Sequence, residues 1–251
     1  KEAAAPAPAT KAEATTIVVG ASPVPQADIL KFVQPTLEKE GVNLKIVEFS
    51  DYIKPNLSLA DKELDANFFQ HKPYLDEFAK ARGLKLEVLA SVHLEPMGVY
   101  STKVKNVNDL KEGAKVAIPN DPTNGGRALK VLETAGLVQG KPEAGVLATV
   151  ADVVDNPKKL QFAEIEAAQL PRALPDVDVA VINSNFALGA NLNPTKDAIA
   201  VESKDSPYAN IVVVREGDNR EALQKLKAAL TTPDVKKFLE TQYKGAVLPA
   251  F

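Results

Sequence analysis

Arg127 is the residue whose type and setting most plainly suit a small anion. It lies in the run Ile118-Pro119-Asn120-Asp121-Pro122-Thr123-Asn124-Gly125-Gly126-Arg127-Ala128-Leu129. The run reads as a strand end, a rigid turn and a helix that opens on Gly125-Gly126 with Arg127 in its first turn. A helix start offers unpaired N–H groups and the positive end of the dipole. Arg127 adds a planar, permanently charged fork that fits a carboxylate.

Three further segments bring suitable chemistry. Phe68-Phe69-Gln70-His71-Lys72-Pro73-Tyr74 reads as a strand end feeding a helix, which puts Phe69, His71 and Tyr74 at the carboxyl edge of a sheet, where α/β folds bind ligands. Strand alternation turns only one of the two Phe residues toward that edge, and Phe68 is read as core. His93-Leu94-Glu95-Pro96-Met97-Gly98 follows a buried strand. Asn183-Ser184-Asn185-Phe186-Ala187 follows an apolar one. Asn185 can bridge an ammonium and a carboxylate, or can be a helix N-cap. Asn210 before the late strand reads as a similar contact or a turn residue, and Tyr52 as another strand-end aromatic or a surface one.

His71 and His93 are the only histidines. With Glu95 they make a familiar metal-ligand set, but their spacing matches no local metal motif. Hydrogen bonding within a pocket or a structural role fits them better, and no metal or cofactor is expected. Gly-x-Ser-x-Gly, His-Glu-x-x-His and Gly-x-Gly-x-x-Gly are all missing, so the sequence offers no catalytic motif. Gly136 to Lys141 is one residue too short for a phosphate loop and is followed by Pro142 rather than Ser or Thr.

The chain has 251 residues, enough for one large core or two lobes. Its formal net charge of −3 argues against a nucleic-acid partner. No apolar run approaches the ~20 residues of a membrane span, and the interspersed charges form no polybasic patch. With no cysteine, thiol catalysis and disulfides are excluded. Lys1 to Thr15 is Ala/Pro-rich, without the aromatic and branched residues that fold. It has no initiator Met or apolar signal core, as expected at the start of a processed chain. It reads equally as a tether and as an ordinary floppy terminus.

The elements that must position these residues alternate in type. Strands are expected at Thr16–Gly20, Leu44–Phe49, Ala66–Phe69 and Leu86–Val92. Helices are expected at Ala27–Glu40 (kinked at Pro35), Asn56–Lys62 and Pro73–Arg82, the last ending on Gly83. A second series places strands at 115–118, 161–165 and 177–182, with helices at 125–135 and 167–174. A late strand at 211–214 precedes helices at about 220–230 and 233–243. This alternation implies parallel strands joined by helical crossovers. Two α/β lobes follow, with chain crossovers near Gly98 to Thr102 and Glu202 to Tyr208. In numbers, 16–100 plus 207–251 forms the first lobe and 101–206 the second, with a ligand cleft between them.

Taken together, Phe69-Gln70-His71-x-Pro73-Tyr74-Leu75, His93-x-Glu95-Pro96-Met97-Gly98, the 118–129 run and Asn183-x-Asn185-Phe186-Ala187 resemble one family: the methionine-binding lipoproteins of bacterial ABC importers (MetQ/NlpA). The match runs from about Thr16 to the C-terminus. It implies a type II-like periplasmic-binding-protein fold that is not an enzyme and that delivers an amino acid to a membrane permease driven by an ATPase subunit. By resemblance, Arg127 binds the ligand carboxylate, and Asn185 and Asn210 hold its α-amino and carboxylate groups. Tyr52, Phe69, His71, Tyr74 and His93 line the side-chain pocket.

L-methionine is the expected ligand; D-methionine, a methionine dipeptide or another small amino acid are alternatives of the same fold. Asp121 and Glu95 are open candidates for the ammonium partner. A monomer is expected, periplasmic or extracytoplasmic, with a membrane anchor whose lipid-carrying cysteine this sequence does not contain. The rival from another class is a small-molecule hydrolase using His71 or His93 as general base.

Overall fold

The computed structural model describes residues 14–251. The expected tether lies outside the described residues except for Ala14 and Thr15, and Thr15 already belongs to the first strand. The chain folds into two α/β lobes, each built on its own sheet.

The first sheet contains β1 (Thr15–Ala21), β2 (Val42–Glu48), β3 (Ala66–His71), β4 (Leu86–Leu94), β12 (Asn210–Arg215) and β13 (Leu248–Pro249). The second contains β5 (Gly98–Tyr100), β6 (Lys115–Pro119), β9 (Gln161–Ile165), β10 (Val179–Ile182) and β11 (Ala200–Val201). A short ribbon of β7 (Gln139–Gly140) and β8 (Val153–Asp155) stands apart. Helices α1 (Asp28–Lys39), α2 (Lys54–Ala60), α3 (Lys72–Arg82), α7 (Glu221–Leu230) and α8 (Pro233–Tyr243) cover the first sheet. The second carries α4 (Pro122–Thr134), α5 (Leu170–Ala173) and α6 (Ser184–Gly189).

The first sheet has the order β13-β4-β12-β3-β1-β2. Its β1, β2 and β3 pair in parallel, as strand–helix alternation implies. The late strand β12 departs from that expectation by running antiparallel between β3 and β4. Its reversal has a functional effect: the amino end of β12 arrives at the carboxyl edge of its neighbours, with Asn210 opposite both His71 and His93. Apolar side chains of β1, β3 and β12, including Ile17, Val19, Phe68 and Val212, pack with Leu30 of α1 and Leu226 of α7 into one fully buried core. The second sheet, of order β11-β5-β10-β6-β9, buries Val116, Ile118, Leu132 and Val179 with α4 on one side. On its other side Ala180 and Ile182 pack against Leu170.

Several local expectations shift. Helix α1 runs without a break through Pro35. The expected helix at 167–174 divides into short turns around four α-helical residues, because Pro171 and Pro175 each restart it. Gly98–Tyr100, read from sequence as the end of the first lobe, pairs with β10 and β11 in the second sheet. The chain therefore crosses between the sheets at residues 95–97 and again at 202–209. Among the described residues no helix is long and apolar enough to cross a membrane.

Candidate ligand-binding site

A cleft with about 360 Å³ of empty space, part of it open to solvent, lies where the two lobes meet. The first lobe contributes Tyr52 after β2, then Phe69, Gln70 and His71 at the end of β3, and Tyr74 in the first turn of α3. The second contributes Asn124 and Arg127 from α4, and Asn183, Ser184 and Asn185 from the junction of β10 and α6. Glu95 comes from one crossover, and Tyr208 and Asn210 from the end of the other.

Arg127 is 4 % exposed and charged. Burial opposes its charge, but the Glu202 carboxylate more than offsets this and holds the guanidinium pKa above its ordinary value. The pair is bidentate, Nε to Oε2 at 2.8 Å and Nη2 to Oε1 at 2.6 Å, and Nη2 also donates to the Glu95 carbonyl at 2.9 Å. The Tyr208 ring lies 4.5 Å below the guanidinium carbon, a cation–π arrangement. One edge of the fork is thus fixed by protein and Nη1 forms no protein hydrogen bond. Arg127 is bolted to both crossovers.

Sequence reading placed a helix start at Gly125-Gly126, and the structure corrects this. Helix α4 begins at Pro122, with Asp121 as N-cap accepting from the Asn124 N–H at 2.9 Å. Proline at N1 and aspartate at N-cap both favour that earlier start. A carboxylate of the chain itself therefore takes this part of the helix N-terminus. The two glycines instead answer a packing demand: a Cβ on Gly126 would lie 2.3 Å from the Val146 carbonyl oxygen, and one on Gly125 3.1 Å from that of Pro119.

His71 is buried and caps α3. Its Nδ1 accepts from the Tyr74 N–H at 3.1 Å and its Nε2 faces Asn124 Oδ1 at 2.7 Å. Burial first, and the Arg127 charge second, lower its pKa to about 3, so the ring is neutral. The aromatic wall is continuous: Tyr52 lies 5.9 Å from both Phe69 and Tyr74, and 4.7 Å from Phe186 of the other lobe. Tyr52 OH donates to Asn185 Oδ1 and Tyr74 OH to the Tyr52 carbonyl at 2.6 Å. Burial pushes the pKa of both phenols up, so both keep their protons. Tyr52 is therefore a contact across the cleft rather than a surface aromatic.

The cavity brings together Tyr52, Phe69, His71, Tyr74, Arg127, Asn185 and Asn210. His93, expected with them, does not line it. Fully buried, it stacks edge-on against the core residue Phe68 and meets Glu95 Oε2 at 2.7 Å, so it supports Glu95 from behind. Asn185 is not an N-cap: α6 starts at Ser184, with Asn183 at that position. Among the described residues no group of three His, Cys, Asp or Glu forms a metal-binding cluster, and neither histidine hydrogen-bonds to a hydroxyl that could act as nucleophile. Sequence reading passed over Asn124, Asn183 and Tyr208, and over Gln26, whose amide reaches Glu95 at 2.8 Å and Asn210 at 3.2 Å. Asn124 and Asn183 stood inside segments already singled out; Tyr208 and Gln26 carried no local signal.

The sequence profile of the NlpA lipoprotein family matches residues 17–251. This chain belongs to that family. A relative from Escherichia coli K12, the D-methionine-binding lipoprotein MetQ, is 45% identical over 215 residues, which are 85% of this chain and 75% of the relative. Among solved structures, a nutrient-binding protein from Burkholderia cenocepacia bound to methionine is 50% identical with a TM-score of 0.91, over 94% of this chain and all of the other. A periplasmic substrate-binding protein of an ABC transporter from Coxiella burnetii is 42% identical with a TM-score of 0.89, over 93% of this chain and all of the other. NlpA-family membership makes this chain a binding lipoprotein and removes the hydrolase reading.

Proposed function

We propose that this protein is the methionine receptor of an ABC importer, capturing its ligand between the lobes outside the cytoplasmic membrane and presenting it to the permease. The observation that carries the reading is the cavity itself. It sets a charged arginine edge against an aromatic wall, at the meeting of two lobes that match a methionine-bound relative. Arg127 takes the ligand carboxylate with Asn185 and Asn210. Tyr52, Phe69, His71 and Tyr74 enclose the side chain, where aromatic edges suit a thioether. The lobes proposed to close on it are 16–97 with 207–251, and 98–206, a division supported by the pairing of β5 with β10.

His71 serves as a neutral donor and cap, in keeping with its low pKa. The protein acts as a monomer held at the membrane by a lipid anchor. Calorimetric titration with L- and D-methionine, after unfolding, dialysis and refolding, tests the reading. Saturable binding without ligand consumption is expected, and the preferred enantiomer is read directly. A cooperatively folded protein that binds neither enantiomer overturns it.

A further inference from the structure

Three buried amides of the first lobe have no part in the ligand contacts proposed above. Asn56 lies in the first turn of α2, and Asn67 and Gln70 belong to β3. Asn56 and Asn67 are fully buried and Gln70 is 3 % exposed. Burying an amide costs free energy unless its lost hydrogen bonds are replaced, and here they are. Asn67 Nδ2 donates to the Pro55 carbonyl at 3.1 Å and to Asn56 Oδ1 at 2.9 Å. Gln70 Nε2 donates to Asn67 Oδ1 at 3.0 Å and to Asn56 Oδ1 at 2.8 Å, and Asn56 Nδ2 returns a bond to Gln70 Oε1 at 2.9 Å.

This closed set has one arrangement. A backbone carbonyl only accepts, so Pro55 fixes which end of Asn67 is the nitrogen. The Asn67 oxygen then fixes Gln70, and Gln70 Oε1 fixes Asn56. Gln70 lines the cavity, yet both ends of its amide are engaged within the network. Apolar packing alone would let α2 slide on β3; a fully satisfied network of directional bonds sets it in one place.

The place matters because Tyr52 lies just before this end of α2. Asp51 Oδ2 accepts from the Ile53 and Lys54 N–H groups at 2.9 and 2.8 Å, so the turn that carries Tyr52 leads straight into the helix. Ile53 beside it is exposed and gives the turn no apolar anchor. The far end of α2 is held otherwise, by Leu59 in an apolar cluster and by Arg215 Nη1 on the Leu59 carbonyl at 3.0 Å. We infer that Asn56, Asn67 and Gln70 are positioning residues for Tyr52, placing it so that its phenol meets Asn185 and its ring meets Phe186 across the cleft. The inference rests on the receptor reading above, because it makes that cross-cleft contact part of ligand retention.

The test is a cycle on the full chain: wild type, Asn67→Leu, Tyr52→Ala and the double variant. Each is loaded with radiolabelled methionine, and release is followed into excess unlabelled ligand. Losing a neutral hydrogen bond is worth roughly 2- to 10-fold. Asn67→Leu should speed release on that scale, and in the Tyr52→Ala background it should add nothing. Two effects that multiply, or unchanged release from a folded Asn67→Leu, overturn the assignment. Asn67→Ser, which keeps one donor, should show the same pattern more weakly, and it carries the test where Asn67→Leu does not fold. Hydrogen–deuterium exchange of the empty protein gives an arm that needs no ligand. The Asn67 variants should exchange faster at residues 51–57 and at the wild-type rate elsewhere in the first lobe. Acceleration spread over the whole lobe marks a general loss of stability and overturns the positioning role. A wild type that binds no methionine fails the receptor reading alone, and the exchange arm then decides the positioning.

Discussion

At the scale of single residues, the site works by holding each group in one protonation state and one orientation. His71 shows this most directly. Its ring faces Asn124, the Tyr74 amide, the Tyr208 ring and the Arg127 charge, and its pKa falls from 6.5 to about 3. Above pH 6.5 the ring is neutral whether folded or unfolded. Below that, the unfolded chain takes up a proton that the folded chain refuses until about pH 3, so this group's contribution to stability is lost as pH falls through that window. His71→Gln should cost stability at pH 7, and its deficit against wild type should shrink by a few kcal/mol on acidification to pH 4. Denaturant midpoints at pH 7, 5.5 and 4 measure this; a deficit independent of pH would refute it. Arg127→Ala should weaken ligand binding by roughly 2–5 kcal/mol, the cost of truncating one partner of a buried charge pair. Unchanged affinity in a titration would remove Arg127 from the site.

At the scale of elements, α4 shows how packing and capping deliver a side chain. Asp121 caps it, Pro122 starts it, and Gly126 lets it lie against the 142–147 turn. Gly126→Ala should lower stability by about 1–3 kcal/mol, since the added carbon meets backbone and not a flexible tip. Gly125→Ala should cost clearly less, and thermal melts showing the opposite order would discard this account. Much of this scale was legible in the sequence, because strand and helix periodicities are local and Pro73 and Gly83 mark element ends, although the start of α4 at Pro122 was read three residues late. The position of β12 was not legible. Ile211 to Val214 announces a strand, but nothing nearby says that it inserts antiparallel between β3 and β4, which is decided by contacts over a hundred residues away. Tyr208 and Glu202 were hidden for the same reason. They lie in a crossover without periodicity, and their importance comes from Arg127, a distant partner. His93 misled because it lies near the end of a strand that runs toward the cleft, yet its side chain turns into the core behind Glu95.

At the scale of the whole molecule, Arg127–Glu202 joins a helix of the second lobe to the second crossover, and the Arg127–Glu95 carbonyl bond joins it to the first. Glu202 also accepts the Met97 N–H at 3.3 Å, tying one crossover to the other. Glu202→Ala leaves a buried guanidinium unpaired and should cost about 3–5 kcal/mol of unliganded stability. Replacing both partners with Arg127→Met and Glu202→Leu should recover much of that stability without restoring binding. Urea unfolding together with titration separates the two effects, and a double variant no more stable than Glu202→Ala would contradict it.

Tyr52 meets the second lobe through other partners than this anchorage, touching Asn185 and Phe186 across the gap. Hinge and latch are therefore different residues, and grip is separable from closure. An amino acid with the right head group but an over-long side chain should dock at Arg127 while wedging Tyr52 off Phe186. Small-angle scattering would then show a saturated protein as extended as the empty one, a decoy-bound form that competes for the receptor without ever shutting it.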